Sequence, residues 1–441
     1  EEIMSSVFEA YHIAISGNPG PVFIEIPANI QLFKREVSEI VSYEKTESKP
    51  AIVESQINEA IHIISESKKV GLFLGWGAKE ATAISIQIAE RLNAPVSTTL
   101  QGYSVFPGDH PLFTGMGFGS ASVPASENAF KNVDCLIAVG TRFAELPTGS
   151  YSARVPENLI HIDIDENVFD KNYKSKLAIQ GDAKDVLAHM LTALIKNNVE
   201  KIDPHLVSSI AKDRQAYYKE WSDHKFDRVN PYHFFRSLRS NLENDAITVV
   251  DDGNHTFLTV ELFQNLKSKH FISPTDFNCM GYCVPAAIGA KFVNPNKQVI
   301  GIVGDGAFLM TGLELLTAKR NNLGIVIFVF HDGELSQISQ GQEIPYNRKT
   351  ATQLGEFKLE GIADAVGATY LAIENDTQID QIISAALKEA KADRIVLVDV
   401  HIDYEKRTRF TKGVVKSVLG NFPLSDKVRF IGRAIKRKIL G

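Results

Sequence analysis

Cysteine and tryptophan are scarce in this sequence, with 3 Cys and 2 Trp among 441 residues. Cys135, Cys279 and Cys283 do not make a disulfide framework or a zinc site, and we interpret the latter two as packing residues. There is no run of 18 apolar residues and no signal peptide, so a reducing cytosol is the expected compartment. An excess of positive charge is also absent. The formal net charge of −6 gives no reason to expect nucleic-acid binding.

The remaining composition, 44% apolar and 23% charged, is typical of a globular protein, and the length predicts two or three domains. We expect an α/β fold with two doubly wound parallel-sheet domains, preceded by the end of a third α/β domain. The expected divisions are a remnant domain at 1–35, a linker at 36–50, a central domain at 51–197, a connecting arm at 198–230, a second sheet domain at 231–402 and a basic tail at 403–441.

The first 35 residues predict a helix, a Gly-Asn-Pro-Gly turn and a buried strand at 21–27. One helix and one strand cannot bury a core by themselves. We therefore expect most of this first domain to lie outside these residues.

Two carboxylates follow successive predicted strands in the second sheet domain. The strand at 299–303 is followed by Gly304-Asp305-Gly306 and a helix to about Arg320, and the strand at 325–330 is followed by His331-Asp332. A right-handed crossover places Asp305 and Asp332 at the carboxyl edge of the sheet, where open α/β sheets bind ligands. Two carboxylates beside glycine-exposed backbone suit a hard cation such as Mg²⁺, which can clamp a diphosphate.

This pair of turns resembles the cofactor motif of the thiamine diphosphate-dependent decarboxylases and carboligases. The segment FNCMGYCVPAAIGA is similar to that family's GxMGFGLPAAIGA. The central domain resembles that of the acetolactate synthase group in APVSTTLQG, FPGDHPLFTGMGFG, DCLIAVGTRF, HIDID and the GDA at 181–183. PGPVFIEIPANI, near the start, is similar to the close of the family's pyrimidine-binding domain.

The resemblance implies thiamine diphosphate and Mg²⁺ as cofactors. Gly253, Asn254 and His255 stand where the family's Gly-Gln-His holds the terminal phosphate, although His255 could instead cap the next helix. Met280 would wedge under the cofactor, with core packing as its alternative role. The positions implied to bind the cofactor are Gly253, Asn254, His255, Asn278, Met280, Gly304, Asp305, Gly306, Ala307, Asp332, Glu334 and Leu335.

The implied metal ligands are the side chains of Asp305 and Asp332 and the backbone carbonyl of Glu334. Asp332 stands where the family usually has asparagine. The change keeps an oxygen ligand and adds a charge, which should strengthen cation binding and slightly repel the diphosphate. Gly306 and Ala307 would offer backbone N–H groups at a helix start to the phosphates.

The resemblance also implies decarboxylation of a 2-oxo acid, pyruvate by default, and carboligation of the resulting enamine. In the implied substrate pocket, Gln337 stands at a methionine of the family and Gly341 at a tryptophan. Leu146 replaces an arginine associated with the acceptor carboxylate, so we expect an altered acceptor. The alternatives are a pyruvate decarboxylase or oxidase, and a binding module without catalysis.

The family's activating glutamate comes from the pyrimidine-binding domain, normally of a neighbouring subunit in a homodimer or homotetramer. We therefore expect no catalytic residue in this chain and no activity from it alone. FAD is a further cofactor of the acetolactate synthase group. Trp76 replaces a glycine of the family's GGG turn, and its indole could block an adenine or stack on it.

The tail from Asp403 onward is basic, with eleven Lys or Arg against three acids. Its apolar residues fall on one helical face, with Ser425 as a suitable cap. A basic amphipathic helix of this kind could contact an anionic membrane surface or, as the plainer alternative, dock on the protein. The residues of the apolar face are Leu424, Val428, Ile431, Ile435 and Ile439.

Overall fold

The computed structural model describes residues 2–34, 36, 42–44, 50–274, 277–346 and 348–440. Within them the chain forms two six-stranded sheets in which every strand pair is parallel. Helices cover both sheets, which confirms the expected pair of doubly wound α/β units. Most of the predicted linker at 36–50 lies outside the described residues.

The first sheet has the strand order β3-β2-β1-β4-β5-β6. This is the doubly wound order in which the chain reverses direction across the sheet between β1 and β4. Its strands are β1 (Val70–Leu74), β2 (Val96–Thr98), β3 (Phe113–Met116), β4 (Cys135–Val139), β5 (Asn158–Asp163) and β6 (Leu177–Gln180). The helices up to the connecting arm are α1 (Glu2–Ile15), α2 (Ala28–Leu32), α3 (Glu54–Glu66), α4 (Thr82–Arg91), α5 (Pro124–Phe130), α6 (Ala183–Lys196) and α7 (Leu206–Ser222).

The second sheet has the order β11-β12-β10-β9-β7-β8, with a reversal between β7 and β9. Its strands are β7 (Ile247–Val250), β8 (Phe271–Ile272), β9 (Val299–Gly304), β10 (Val326–Phe330), β11 (Thr369–Ile373) and β12 (Val396–Val400). The helices here are α8 (Pro231–Asn241), α9 (Asn254–Leu262), α10 (Cys283–Val293), α11 (Asp305–Thr311), α12 (Leu315–Arg320), α13 (Ser336–Tyr346), α14 (Leu359–Val366), α15 (Ile379–Lys391), α16 (Arg409–Asn421) and α17 (Leu424–Leu440).

The strand register brings three strand ends within two residues of one another at the carboxyl edge of the second sheet. Val250 of β7 is opposite Ile302 of β9, and Gly304 of β9 is opposite Phe330 of β10. All five residues of β10 are buried, because both faces of a parallel sheet are covered by helices. Burial of such side chains contributes roughly 1.5–3 kcal/mol each and fixes the positions of the loops that follow.

The two sheet units share one apolar core. Tyr103, after β2, packs its ring edge-on against Phe271 of β8 and donates its hydroxyl to the backbone carbonyl of Phe263 at 2.5 Å. The buried Glu261 of α9 accepts from the Tyr217 hydroxyl of α7 and from the backbone N–H of Phe410 (2.8 Å). The connecting arm is thus anchored to the second unit.

Some sequence-based element predictions were wrong. Residues 21–27 form no strand, and Phe23 is 87% exposed, because no described strand lies beside them to complete a ladder. The helix predicted up to Arg320 is split by a 3₁₀ turn at Gly312–Glu314. A Cβ at Gly312 would lie 2.6 Å from the Phe308 ring. The strands β3, β6, β8 and β11 were not predicted.

The tail is helical, as predicted, and α17 packs against α13 beside the second sheet. The predicted cap was wrong, since α17 begins at Leu424 and places Ser425 inside its first turn. Leu424, Val428 and Ile435 are exposed, whereas the side chains of Ile431 and Ile439 lie outside the described part of the structure. Among the described residues, no helix is long and apolar enough to cross a membrane.

Candidate active site

A pocket of about 510 Å³, counting its open mouth, lies at the carboxyl edge of the second sheet where β7, β9 and β10 end. This is the reversal point of the strand order, where open α/β sheets bind ligands. It brings together most of the residues that the sequence predicted. The lining is Asp252, Gly253, Asn254, His255, Met280, Gly304, Asp305, Gly306, Ala307, Phe330, Asp332, Glu334, Leu335, Ser336, Gln337, Ile338 and Tyr404.

Two buried polar atoms without hydrogen-bond partners lie where β7 meets α9. They are Nδ2 of Asn254 and Nε2 of His255. Burial lowers the pKa of His255 to about 3, and its ring also bonds the backbone of Asp251. The ring of His255 packs against the backbone of Gly253. A side chain at position 253 would prevent this, since its φ is +153° and a Cβ there would lie 2.6 Å from the ring. An anionic oxygen would satisfy both atoms and would favour the protonated imidazole.

Asp251, which was not among the predicted residues, holds the segment that carries Met280. Its buried carboxylate accepts the N–H of Gly281 at 3.0 Å and that of Cys283 at 2.7 Å. Met280 therefore lines the pocket, and its role as a wedge under the cofactor stays a prediction. Asn278 is exposed, has φ of +56° and is not part of the lining.

Asp305 is the first residue of α11 and is 2% exposed. Its Oδ1 accepts the N–H of Gly306 at 2.7 Å, and its Oδ2 accepts the N–H of Gly333 at 2.7 Å and that of Asp332 at 3.2 Å. One carboxylate thereby ties the end of β9 to the loop after β10. Burial raises the pKa of Asp305 above its usual range.

Asp332 lies beside Asp305, as the strand-end argument predicted. Its Oδ2 accepts the hydroxyl of Ser336, the first residue of α13. Burial raises the pKa of Asp332 to about 6, and the charge of Asp305 adds to the shift. A dication between two such neighbouring carboxylates would favour the ionised form of both.

Glu334 has its side chain directed to the neighbouring loop, where it pairs with Lys349 at 2.9 Å and accepts from Thr352 at 2.9 Å. The backbone of Glu334 forms an isolated antiparallel β-bridge with that of Gln353. The two hydrogen bonds of this bridge use the carbonyl of Gly333 and the N–H of Leu335. That pattern leaves the Glu334 carbonyl outside the bridge. Leu335 packs close to Gly306, where a Cβ would lie 2.5 Å from its Cδ2.

Comparison with known proteins yields two family matches. The description "Thiamine pyrophosphate enzyme, central domain" matches residues 57–190, and "Thiamine pyrophosphate enzyme, C-terminal TPP binding domain" matches residues 251–400. The chain is also similar to the probable acetolactate synthase large subunit of Methanocaldococcus jannaschii. The two are 32% identical over 91% of this chain and 70% of that relative. The chain belongs to the thiamine pyrophosphate enzyme family.

Thiamine pyrophosphate is the same compound as thiamine diphosphate, so the predicted family is confirmed, as is an acetolactate synthase-like enzyme. The acetolactate synthase large subunit of Corynebacterium glutamicum is 31% identical over 90% of this chain and 65% of its own length. Acetolactate synthase isozyme 1 large subunit of Escherichia coli is 27% identical over 92% of this chain and 71% of its own length.

The three positions that the family resemblance links to the substrate lie apart in this thiamine pyrophosphate enzyme. Gln337 lines the pocket. Gly341, one turn further along α13, is exposed and outside the lining, and a Cβ there would meet nothing within 4 Å. Leu146 packs on the main core instead of facing this pocket.

The pocket also contains residues that sequence reasoning missed, notably Asp252 and Tyr404. Burial and the charge of Asp251 raise the pKa of Asp252 to about 6. Tyr404 comes from the connection after β12. The Asp251-Asp252 pair before Gly253 was visible in the sequence as a second acidic strand end, whereas no local pattern marks Tyr404.

A second, larger cleft of about 2060 Å³, open to solvent, lies at the carboxyl edge of the first sheet. Trp76 is part of its wall, with Lys79 Nζ 4.9 Å from the ring centroid. A Cβ at Gly77 would lie 2.6 Å from the Cα of Gly140, so the Gly-Trp-Gly turn is a close-packing turn. FAD binding in this cleft stays a prediction from the family resemblance.

Proposed function

We propose that this chain binds thiamine diphosphate with Mg²⁺ at the described pocket and serves the decarboxylation of a 2-oxo acid. The observation that carries the proposal is the joint placement of unpaired donors and paired carboxylates. Asn254 and His255 offer buried polar atoms without partners, and Asp305 and Asp332 offer oxygen ligands across the same pocket. Phosphate oxygens suit the first pair and a hard cation suits the second.

The cation ligands would be Asp305, Asp332 and the carbonyl of Glu334. Without a cation, these carboxylates would repel a diphosphate, so the dication is needed to hold the anion in place. At the start of α11 the N–H of Ala307 would donate to phosphate, and that of Gly306, which donates to Asp305 at 2.7 Å in this structure, would do so only by leaving this bond. Met280 presents a flexible apolar side chain to the organic part of the cofactor.

When bound, thiamine diphosphate supplies the electron sink for loss of CO₂ from a 2-oxo acid. The pocket residues would hold the cofactor and exclude water around it. Glu334 has its side chain engaged with Lys349 and Thr352, and it is the one glutamate of the described lining. As the family resemblance implies, the glutamate that activates the cofactor ring would come from outside this lining.

We expect the 441-residue chain to bind thiamine diphosphate in the presence of Mg²⁺ without releasing CO₂ from pyruvate. Calorimetric titration measures the binding, and a coupled CO₂ assay on the same preparation measures turnover. Titration without Mg²⁺ is the control and should show weaker binding. Binding that is absent with Mg²⁺ would contradict the proposed cofactor, and measurable turnover by the chain alone would contradict the inactivity.

We propose that the acceptor differs from that of the acetolactate synthases. Gln337 lines the pocket where the family resemblance implies a methionine, and Leu146, at the position of an arginine, packs on the core. In any preparation that decarboxylates pyruvate, we expect little acetolactate from pyruvate alone and more product with a larger carbonyl acceptor. Product analysis by mass spectrometry checks this, and rapid acetolactate formation would contradict it.

The homodimer or homotetramer stays a prediction. Exposed apolar side chains on α11, α12 and the turn between them offer a surface for such contact beside the pocket. They are Leu309, Met310, Leu313 and Leu316, which are 44–64% exposed.

A further inference from the structure

A cluster of two histidines and one aspartate lies at the same sheet edge, beside the described pocket. His331 follows β10, Asp399 is in β12, and His401 follows β12. Since Phe330 is opposite Val400 in the parallel ladder, the two histidines leave neighbouring strand ends. Among the described residues, this is the one group of three or more His, Cys, Asp and Glu side chains whose ligand atoms all lie within 4.8 Å of one another.

The aspartate stands between the histidines and uses both of its oxygens. Asp399 Oδ1 is 3.0 Å from His331 Nδ1, and Oδ2 is 3.7 Å from His401 Nε2. The hydroxyl of Tyr370 donates to the same Oδ2 at 3.2 Å. Asp399 is thus oriented by a neighbour in β11, as the ligands of metal sites usually are.

Burial and charge around the cluster suit a cation. Asp399 is 4% exposed, and Oδ2 of Asp305 lies 4.0 Å from His331 Nε2. The side chain of His401 is 41% exposed, so an ion can enter from solvent. The surroundings are negative, the carboxylate is sheltered and one ligand is accessible.

We propose that His331, Asp399 and His401 form a second metal site, for a transition-metal dication such as Zn²⁺ or Co²⁺. Two imidazoles and one carboxylate favour these ions over Mg²⁺, which prefers oxygen ligands throughout. Three protein ligands leave a coordination position for water, the arrangement of an open zinc site. The site shares no ligand with the proposed magnesium site and does not depend on thiamine diphosphate.

Titration of the chain, free of any histidine tag, with Co²⁺ alone tests the site. Cobalt is the probe because its visible absorption reports imidazole ligation. We expect one Co²⁺ per chain, displaced by Zn²⁺. His401→Ala should weaken the affinity at least about tenfold, as loss of a ligand exceeds the 10- to 100-fold effects of outer-shell changes. His401 is partly exposed, so this variant should fold, and circular dichroism checks that it does.

Matched variants separate this site from other cation sites. His233→Ala removes a similar His–Asp pair, in which His233 Nδ1 is 2.7 Å from Asp376, and should leave Co²⁺ binding unchanged. Asp332→Asn alters the proposed magnesium site and should also leave it unchanged. Absence of 1:1 binding, or equal affinity in wild type and His401→Ala, would show that the cluster is only a hydrogen-bond network. If Asp332→Asn lowered the Co²⁺ affinity as much as His401→Ala does, the proposal of a separate metal site would be wrong.

Discussion

Asp305→Asn should remove most of the stabilisation that we expect thiamine diphosphate and Mg²⁺ to give this protein. The wild-type carboxylate is 2% exposed and uses both oxygens to hold the backbone of three neighbouring residues. The asparagine amide lacks the negative charge that a dication needs. Its NH₂ group would also face backbone N–H groups, which cannot accept a hydrogen bond from it. With ligand at about 100 times its Kd, the wild-type free energy of unfolding should rise by about 2.7 kcal/mol. A 100-fold weaker variant should gain only about 0.4 kcal/mol.

The measurement is urea unfolding with and without the two ligands. Asp364→Asn is the control, because Asp364 is exposed on α14, away from the pocket. It should retain the full ligand-dependent gain. Asp305→Asn should also lower the stability without ligand, by roughly 1–3 kcal/mol, since a backbone N–H loses its acceptor. A ligand-dependent gain equal to that of the wild type would disprove the role of Asp305 in cation binding.

Asp251→Ala should destabilise the protein by about 3 kcal/mol and weaken the binding of thiamine diphosphate. Its side chain is fully buried and accepts the N–H groups of Gly281 and Cys283. Each buried N–H left without an acceptor costs roughly 1–3 kcal/mol. The segment released carries Met280, so the wall of the pocket should loosen as well. Urea unfolding measures the first effect and calorimetric titration the second.

Asp252→Ala is the matched control for Asp251. Its side chain lines the pocket, and the charge of Asp251 disfavours its ionised form. Its removal should not lower the free energy of unfolding, because burial and the charge of Asp251 already disfavour the ionised carboxylate in the folded protein. Equal destabilisation by the two variants would show that the lost stability arises from a disturbed turn after β7 and not from the lost hydrogen bonds of Asp251.

The strand-end argument predicted the core of the site because it depends on short-range information. Asp305 and Asp332 each follow a buried apolar strand, and a right-handed crossover leaves one arrangement for neighbouring parallel strands. The same argument, combined with the family resemblance, predicted Gly253, Asn254 and His255 after β7. Each of these residues lines the pocket.

Other features could not be predicted because their partners are distant in the chain. Asp251 bonds backbone groups 30 and 32 positions away. His331 meets Asp399 across 68 positions, through the pairing of β10 with β12. Residues 21–27 have the apolar pattern of a buried strand but no neighbouring strand in the described structure, and pattern alone does not supply one.

The sequence by itself determined the parallel α/β units and the strand-end positions of the residues that we propose to bind phosphate and metal. These depend on hydrophobic periodicity, glycine turns and chain chirality, which act over short stretches. Only the tertiary structure decided which donors stay unpaired, that Asn278 and Gly341 lie outside the pocket lining, and that two histidines flank Asp399. Those outcomes depend on strand order and register, which bring distant residues within hydrogen-bond range.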